Sequence, residues 1–282
     1  MKIFQAYVNE QQKKLVDNHS IPLNASWNSG GNEYELFKYI KNNQGNESDS
    51  PWGLVSWKFT AKCQLKIGEF VSFSEKYLRN GYDCVFINPM IGNEAIYLNV
   101  WEQGKDCGHH GIDKVETFLT THFDTNITAI MSNETFAFCN YFIATNKFWD
   151  QYFRYIEKAL SLLQQESQLK SDIGLAYSSS ANYQRNTSLS LRPFVIERLF
   201  SSFLHTTNLK YANYNHKIDH YHKKFGTLLG NHLFNLSTLK NHAISQKQTT
   251  QLNNYLEQRK KILHSNYKCV IWELDDPNNL LF

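Results

Sequence analysis

No run in this sequence approaches the roughly 18 consecutive apolar residues of a membrane-spanning helix, so no integral segment is expected. The apolar stretch after Met1 and Lys2, residues 3–8, is too short for the core of a secretory signal. Cysteine is sparse: Cys63, Cys84, Cys107, Cys139 and Cys269 are odd in number, scattered, and form no C-x-x-C pair. That usage favours reduced thiols in a cytoplasmic protein over a disulfide or zinc framework. An excess of one charge is also lacking. A net charge of +3 and an isoelectric point near 8.4 are too weakly basic to indicate a nucleic-acid partner without a local cluster. No internal repeat is visible.

What is present is enough chain for a sizeable core. A length of 282 residues suits one large α/β domain, or one domain with a helical extension. Hydrophobic residues at 41% and charged residues at 20% are ordinary, whereas the aromatic share of 15% is high. Aromatics in that quantity suit a cleft that stacks flat or ring-shaped ligands, although most must pack in the core.

Along the chain, "IFQAYV" (3–8) alternates as a first strand, and the polar "NEQQKK" after it is where the chain leaves the sheet. In α/β proteins ligands bind at such carboxyl ends of strands. Residues 24–51 are rich in Asn, Gly and Ser around one short helical piece, "EYELFKYI". "GLVSWKF" (53–59) predicts a second strand, "IGEFVSFSEKYLRN" (67–80) a helix stopped at Asn80-Gly81, and "DCVFINP" (83–89) a third strand. Strand, helix and strand in succession suggest a βαβ unit with parallel pairing.

Further on, "DKVETFLTTHF" (113–123) predicts a helix and "TFAFCNYFIA" (135–144) a buried strand or two. Asn146 is placed to cap a long helix over 147–169, whose Phe148, Tyr152, Tyr155, Ala159 and Leu162 make one buried face. Residues 171–191 are polar and aperiodic, as in a lid or a disordered segment. Pro193 opens the helix "PFVIERLFSSFL", mostly helical sequence follows, and "YKCVIWEL" (267–274) offers a last strand.

Two segments concentrate chemistry. In "NVWEQG" (99–104), behind the strand at 83–89, Trp101 is suited to stacking on a base or sugar face, while Glu102 and Gln103 are suited to holding hydroxyls or a proton. The alternative is a loop with a core tryptophan. In "PFVIERLFSSFL", Glu197 and Arg198 lie between members of the apolar stripe Ile196, Leu199, Phe200 and Phe203. A carboxylate there is costly unless it is paired or used. Glu197 is thus either a local ion-pair partner of Arg192 or Arg198, or a base facing an acceptor.

"SWKF" (56–59) with Lys62, "YDCVFINP" (82–89), "NVWEQG" with the histidines after it, "CNYFIATNKFWDQY" (139–152) and "RPFVIERLFSSFL" (192–204) together resemble a group of bacterial glycosyltransferases. These are the GT-A type encoded in capsule, O-antigen and lipooligosaccharide gene clusters, and the resemblance runs in order over residues 1–205. It implies an α/β fold: a GT-A-like, Rossmann-type mixed sheet with flanking helices. Residues 1–205 would form the nucleotide-sugar-binding and catalytic domain, with 206–282 a mostly helical extension packed on it. The implied activity is transfer of a sugar from a nucleotide-activated donor, a UDP-sugar, to a bacterial surface glycan or lipid-linked oligosaccharide.

On that resemblance Glu197, Glu102, His109 and His110 are the catalytic candidates. Tyr7, Lys58, Lys62, Asp83, Asn88, Asn99, Trp101 and Arg198 are the donor-binding candidates, and the cluster at 99–110 is where donor and acceptor would meet. One departure stands out. The strand expected to end in Asp-x-Asp reads "DCVFINP", and the acidic pair Asp275-Asp276 lies far downstream. Without that pair, which would hold Mg²⁺ or Mn²⁺ on the donor diphosphate, no metal or other cofactor is assigned, and cations are expected to replace it. Asp83 or Glu102 holding an ion with water is the opposing case.

The stretch 205–226 carries His216, His220 and His222 among lysines and tyrosines. It is a solvated basic surface, a contact with the cytoplasmic face of an anionic inner membrane, or, last, an RNA or metal site. The rival readings of the whole chain are a non-catalytic glycan- or RNA-binding module and an inactive partner subunit of a polysaccharide polymerase.

Overall fold

A computed structural model of the protein describes residues 1–28, 32–45, 50–107, 109–123, 127, 129–181 and 190–264. The chain opens with β1 (Lys2–Tyr7), the short helix α1 (Glu10–Lys13), β2 (Ile21–Asn24) and α2 (Glu33–Ile40). Next come β3 (Trp52–Ser56), α3 (Phe59–Cys63), α4 (Ile67–Arg79) and β4 (Cys84–Phe86). Three helices, α5 (Asn93–Ile96), α6 (Val100–Asp106) and α7 (Ile112–His122), precede β5 (Phe142–Ala144) and the long α8 (Asn146–Gln168). The remainder is α9 (Asp172–Ser178), α10 (Arg192–Thr206), β6 (Tyr211–Asn213), α11 (Ile218–Gln246) and α12 (Thr249–Leu263).

The strands form one mixed sheet in the order β2-β1-β3-β5-β4-β6. All run parallel except β5, which is antiparallel to both its neighbours. Alternation sorts side chains to two faces. Phe4, Leu54, Phe86 and Phe142 join the larger core with α2, α8 and α10. Ile3, Val55, Val85 and Ile143 face the smaller core beneath α3 and α4. The expected mixed α/β sheet with flanking helices is therefore present, and most of the aromatics are in its core. Trp52 stacks on Trp149 at 3.9 Å between ring centroids, and Phe142 on Phe200 at 4.4 Å. Gly53 is required by the close approach of β3 and β5, because a Cβ there would lie 2.0 Å from the Phe142 carbonyl oxygen.

Several expectations need correction. The strands read at 53–59 and 83–89 are not neighbours; β5 lies between them, so their parallel relation is indirect. The first ends at Ser56, where Phe59–Cys63 turns helical, and the second is only Cys84–Phe86. Of residues 135–144 only Phe142–Ala144 is strand, since Cys139 and Asn140 are left-handed, with φ of 60° and 50°. Thr145, not Asn146, caps α8, its side chain accepting from the Phe148 N–H. The loop expected at 171–191 contains a helix, α9, over Asp172–Ser178, while residues 182–189 lie outside the described residues.

Strand β2 was not foreseen because it buries only Leu23 and so shows no alternation. Strand β6 was also missed, and it brings the chain beyond residue 205 into the same sheet, beside β4. The strand expected at 267–274, Asp275, Asp276 and Cys269 lie outside the described residues.

Candidate functional site

Strand β1 pairs with β2 on one side and with β3 on the other. The chain therefore reverses its direction of travel across the sheet at β1, and the paired carboxyl ends of β1 and β3 lie side by side there. Open α/β sheets bind ligands at such switch points. A cleft of about 230 Å³ occupies this position, lined by Tyr7, Ser56 and Trp57 from the strand ends, Lys62 from α3, Asn28 and Glu33 from the approach to and start of α2, and Tyr141 from just before β5. Asn32 places Glu33 in the wall: its side chain caps α2 by accepting from the Glu35 N–H at 3.2 Å.

Glu33 and Lys62 in the cleft wall influence each other's charge, as does Glu197 behind it. Glu197, on α10, accepts from the Cys139 N–H at 2.8 Å through Oε1. Lys62 Nζ donates to Cys139 Sγ at 3.1 Å. Burial raises Glu33 to a pKa of about 7, the negative charge of Glu197 adds to the rise, and Lys62 and Asn140 oppose it. Burial also pushes the Cys139 thiol up to about 12, against the pull of Lys62, so it is a neutral thiol at physiological pH. Burial alone would weaken the charge on Lys62, yet Cys139, Tyr141 and Glu197 together hold its pKa above the usual lysine value. Ser56 and Tyr141 share a short hydroxyl–hydroxyl hydrogen bond on the same wall.

The backbone between these groups is strained. Two successive non-glycine residues in the left-handed region cost on the order of 1–2 kcal/mol each, and the Glu197 bond to Cys139 N fixes the first of them. The second, Asn140, is fully buried. Its Oδ1 accepts from the Tyr152 hydroxyl at 3.2 Å, while its Nδ2 has no partner within hydrogen-bond distance.

Of the residues singled out from the sequence, Tyr7 and Lys62 line this cleft. Lys58 stands beside it, its Nζ 4.9 Å from the centre of the Trp57 ring. Glu197 lies behind the wall. The others are placed elsewhere. The segment 99–106 is not a cleft loop but the cap and body of α6, with Asn99 Oδ1 accepting from the Trp101 and Glu102 N–H groups at 3.0 and 2.8 Å. Trp101 is fully buried and donates from Nε1 to Ser202 Oγ at 3.0 Å, so it offers no stacking face. Glu102 holds the Leu98 N–H and the Arg259 guanidinium, both at 2.6 Å.

Arg198 is buried in the same packing. His109 lies against the Phe194 ring, with centroids 4.1 Å apart, and burial followed by Arg198 lowers its pKa to about 4, leaving it neutral. His110 is exposed. Asp83 is at the amino end of β4, the opposite edge of the sheet, bound to Lys147 and to the Lys210 N–H. Asn88 is at the carboxyl end of β4, but its amide is spent on Glu94 and the turn at Met90. His216 and His220 lie together, with ring centroids 5.2 Å apart and His216 meeting the Asn88 carbonyl, but His222 turns to the Asn231 side chain, so the three do not form one set. Among the described residues no three His, Cys, Asp or Glu side chains are grouped as metal ligands would be.

Glu33, Asn140 and Tyr141 were not foreseen. Asn32-Glu33 was legible only as a helix start, and nothing local marks Cys139-Asn140 as a double left-handed turn. No family model matches the chain, and neither the curated proteins nor the solved structures give a match.

Proposed function

We propose that this protein transfers a sugar from a nucleotide-activated donor, a UDP-sugar, to a growing bacterial surface glycan, and that the cleft at the β1/β3 switch point is its donor site. The observation that carries this reading is that Glu33 and Lys62 line a cleft at the carboxyl ends of the parallel strands β1 and β3, with Glu197 held behind its wall by the Cys139 N–H. Glycosyl transfer needs a group that accepts the proton of the attacking hydroxyl and a cation that meets the charge on the departing diphosphate. The cleft wall and its backing offer both kinds of group. Its enclosed part, about 230 Å³, is smaller than the roughly 300–1,000 Å³ of drug-sized ligand pockets. It suits one ring of the donor, with the remainder over the open mouth near Lys58. The resemblance in "SWKF", Lys62, "CNYFIA" and "ERLF" supports the same assignment, because these segments supply Ser56, Lys58, Lys62, Cys139 and Glu197.

A thermal-shift panel of nucleotide sugars tests the reading. A bound donor at 100 times its dissociation constant is expected to stabilise the fold by about 2.7 kcal/mol. A flat response to UDP, UDP-sugars and other nucleotide sugars would remove the donor assignment.

The acceptor glycan, inner-membrane association and cationic stabilisation of the diphosphate belong to the same proposal. With Lys62 and Lys58 as the cations, transfer is expected to survive excess EDTA. Complete loss restored by Mg²⁺ or Mn²⁺ would assign that role to a divalent ion instead.

A further inference from the structure

We infer that Glu33, not Glu197, takes the proton from the acceptor hydroxyl, and that Glu197 is a positioning residue which tunes Glu33 and fixes the Cys139-Asn140 turn. The inference rests on the transfer reading above and divides the work of its two carboxylates. Glu33 is part of the cleft wall; Glu197 is not. One Glu197 oxygen is committed to the Cys139 N–H at 2.8 Å, and the other lies 3.7 Å from Arg198 Nη1. A carboxylate so engaged is held for structure, whereas Glu33 stands where a substrate hydroxyl can reach it.

Asn140, fully buried beside Glu33, favours the ionised form of that carboxyl. An acceptor hydroxyl entering the cleft would donate to the Glu33 carboxylate, the orientation a nucleophile needs before attack. In the step itself the hydroxyl O–H bond breaks, its proton passes to a Glu33 oxygen, and the freed oxygen bonds to the anomeric carbon. The bond from that carbon to the donor diphosphate breaks as its electron pair leaves on the phosphate oxygen.

The groups facing Glu33 are Glu197 from α10, Lys62 from α3, the Tyr152 hydroxyl from α8, and Cys139 and Asn140 from the segment before β5. Glu197 disfavours ionisation of Glu33 and Lys62 favours it. As a base Glu33 works when ionised, so transfer is expected to rise with pH through about 7, the pKa to which burial and Glu197 raise it.

Two variants test the division. Glu33→Gln should keep the thermal shift with the donor while turnover falls about 10²–10⁴-fold, the usual scale of lost general-base catalysis. Glu197→Gln retains an oxygen for the Cys139 N–H but removes the charge, so the acidic limb of its pH–rate profile should move to lower pH with the plateau rate within about tenfold of wild type. A merely structural role would not move that limb. Donor binding with wild-type turnover in Glu33→Gln overturns the assignment, as does an unshifted limb with a 100-fold loss in Glu197→Gln. No donor binding by the wild-type protein would instead overturn the transfer reading itself.

Discussion

Arg198→Met is expected to unfold in urea with about 3 kcal/mol less stability than the wild type, while whatever protein stays folded keeps its thermal response to the donor. Arg198 is only 1% exposed, in the core between α6 and α10. Its Nε donates to the Val100 carbonyl at 2.9 Å, Nη1 to the Phe194 carbonyl at 2.8 Å and Nη2 to Gln103 Oε1 at 2.6 Å. A methionine fills much of the volume and supplies none of the donors. Each buried acceptor left without its partner costs about 1–3 kcal/mol. Arg198→Lys would not rescue the site, because one ammonium cannot reproduce three diverging guanidinium bonds. A stability loss below about 1 kcal/mol together with lost donor binding would return Arg198 to the phosphate role expected from the sequence.

That role is what separates recognition of a motif from knowledge of its use. "NVWEQG" and "ERLF" are physically joined: a Cβ on Gly104 would lie 2.7 Å from Arg198 Nε, and Gln103 receives the same guanidinium. The two motifs share a packing contact between α6 and α10, which makes their joint presence intelligible without a sugar between them.

Elements were legible where they were long and amphipathic, as in α4, α8 and α10, whose apolar residues recur at helical spacing. They were illegible where three or four residues take a strand's shape from their neighbours, as in β2 and β6. In the site, Tyr7 was readable from its place at a strand end, Lys62 only through the resemblance of "SWKF" and the lysine after it, and Glu197 from the oddity of a carboxylate in an apolar stripe. Glu33 was not, because nothing near it in sequence reveals that α2 begins opposite α10. Its partners Glu197, Lys62 and Asn140 come from three separate parts of the chain.

Lys62→Met should act in the opposite sense to Glu197→Gln, and its effect should depend on pH. Lys62 is the cation that opposes the rise in Glu33, so removing it should lift the Glu33 pKa beyond about 7 and move the acidic limb of transfer to higher pH. Stability follows from the same shift. A carboxyl whose folded pKa lies above its unfolded value contributes stability that is fully present below the unfolded value, near 4.5, and is lost as pH rises through the folded value. In the wild type that loss is complete a little above pH 7; without Lys62 it continues upward. At pH 8 the variant must either ionise Glu33 without the cation that offsets it or hold its carboxyl protonated where the unfolded chain is ionised. Leaving a buried group without its partner costs about 1–3 kcal/mol, so the expected loss is about 2 kcal/mol. At pH 5 Glu33 is protonated in both proteins and the desolvation of an ammonium is avoided in the variant, so the gap should shrink to less than about 1 kcal/mol. Urea unfolding of the two proteins at pH 5, 6.5 and 8 measures this directly. A difference that stays constant across that range would mean that Lys62 stabilises by packing alone and that Glu33 does not answer to it.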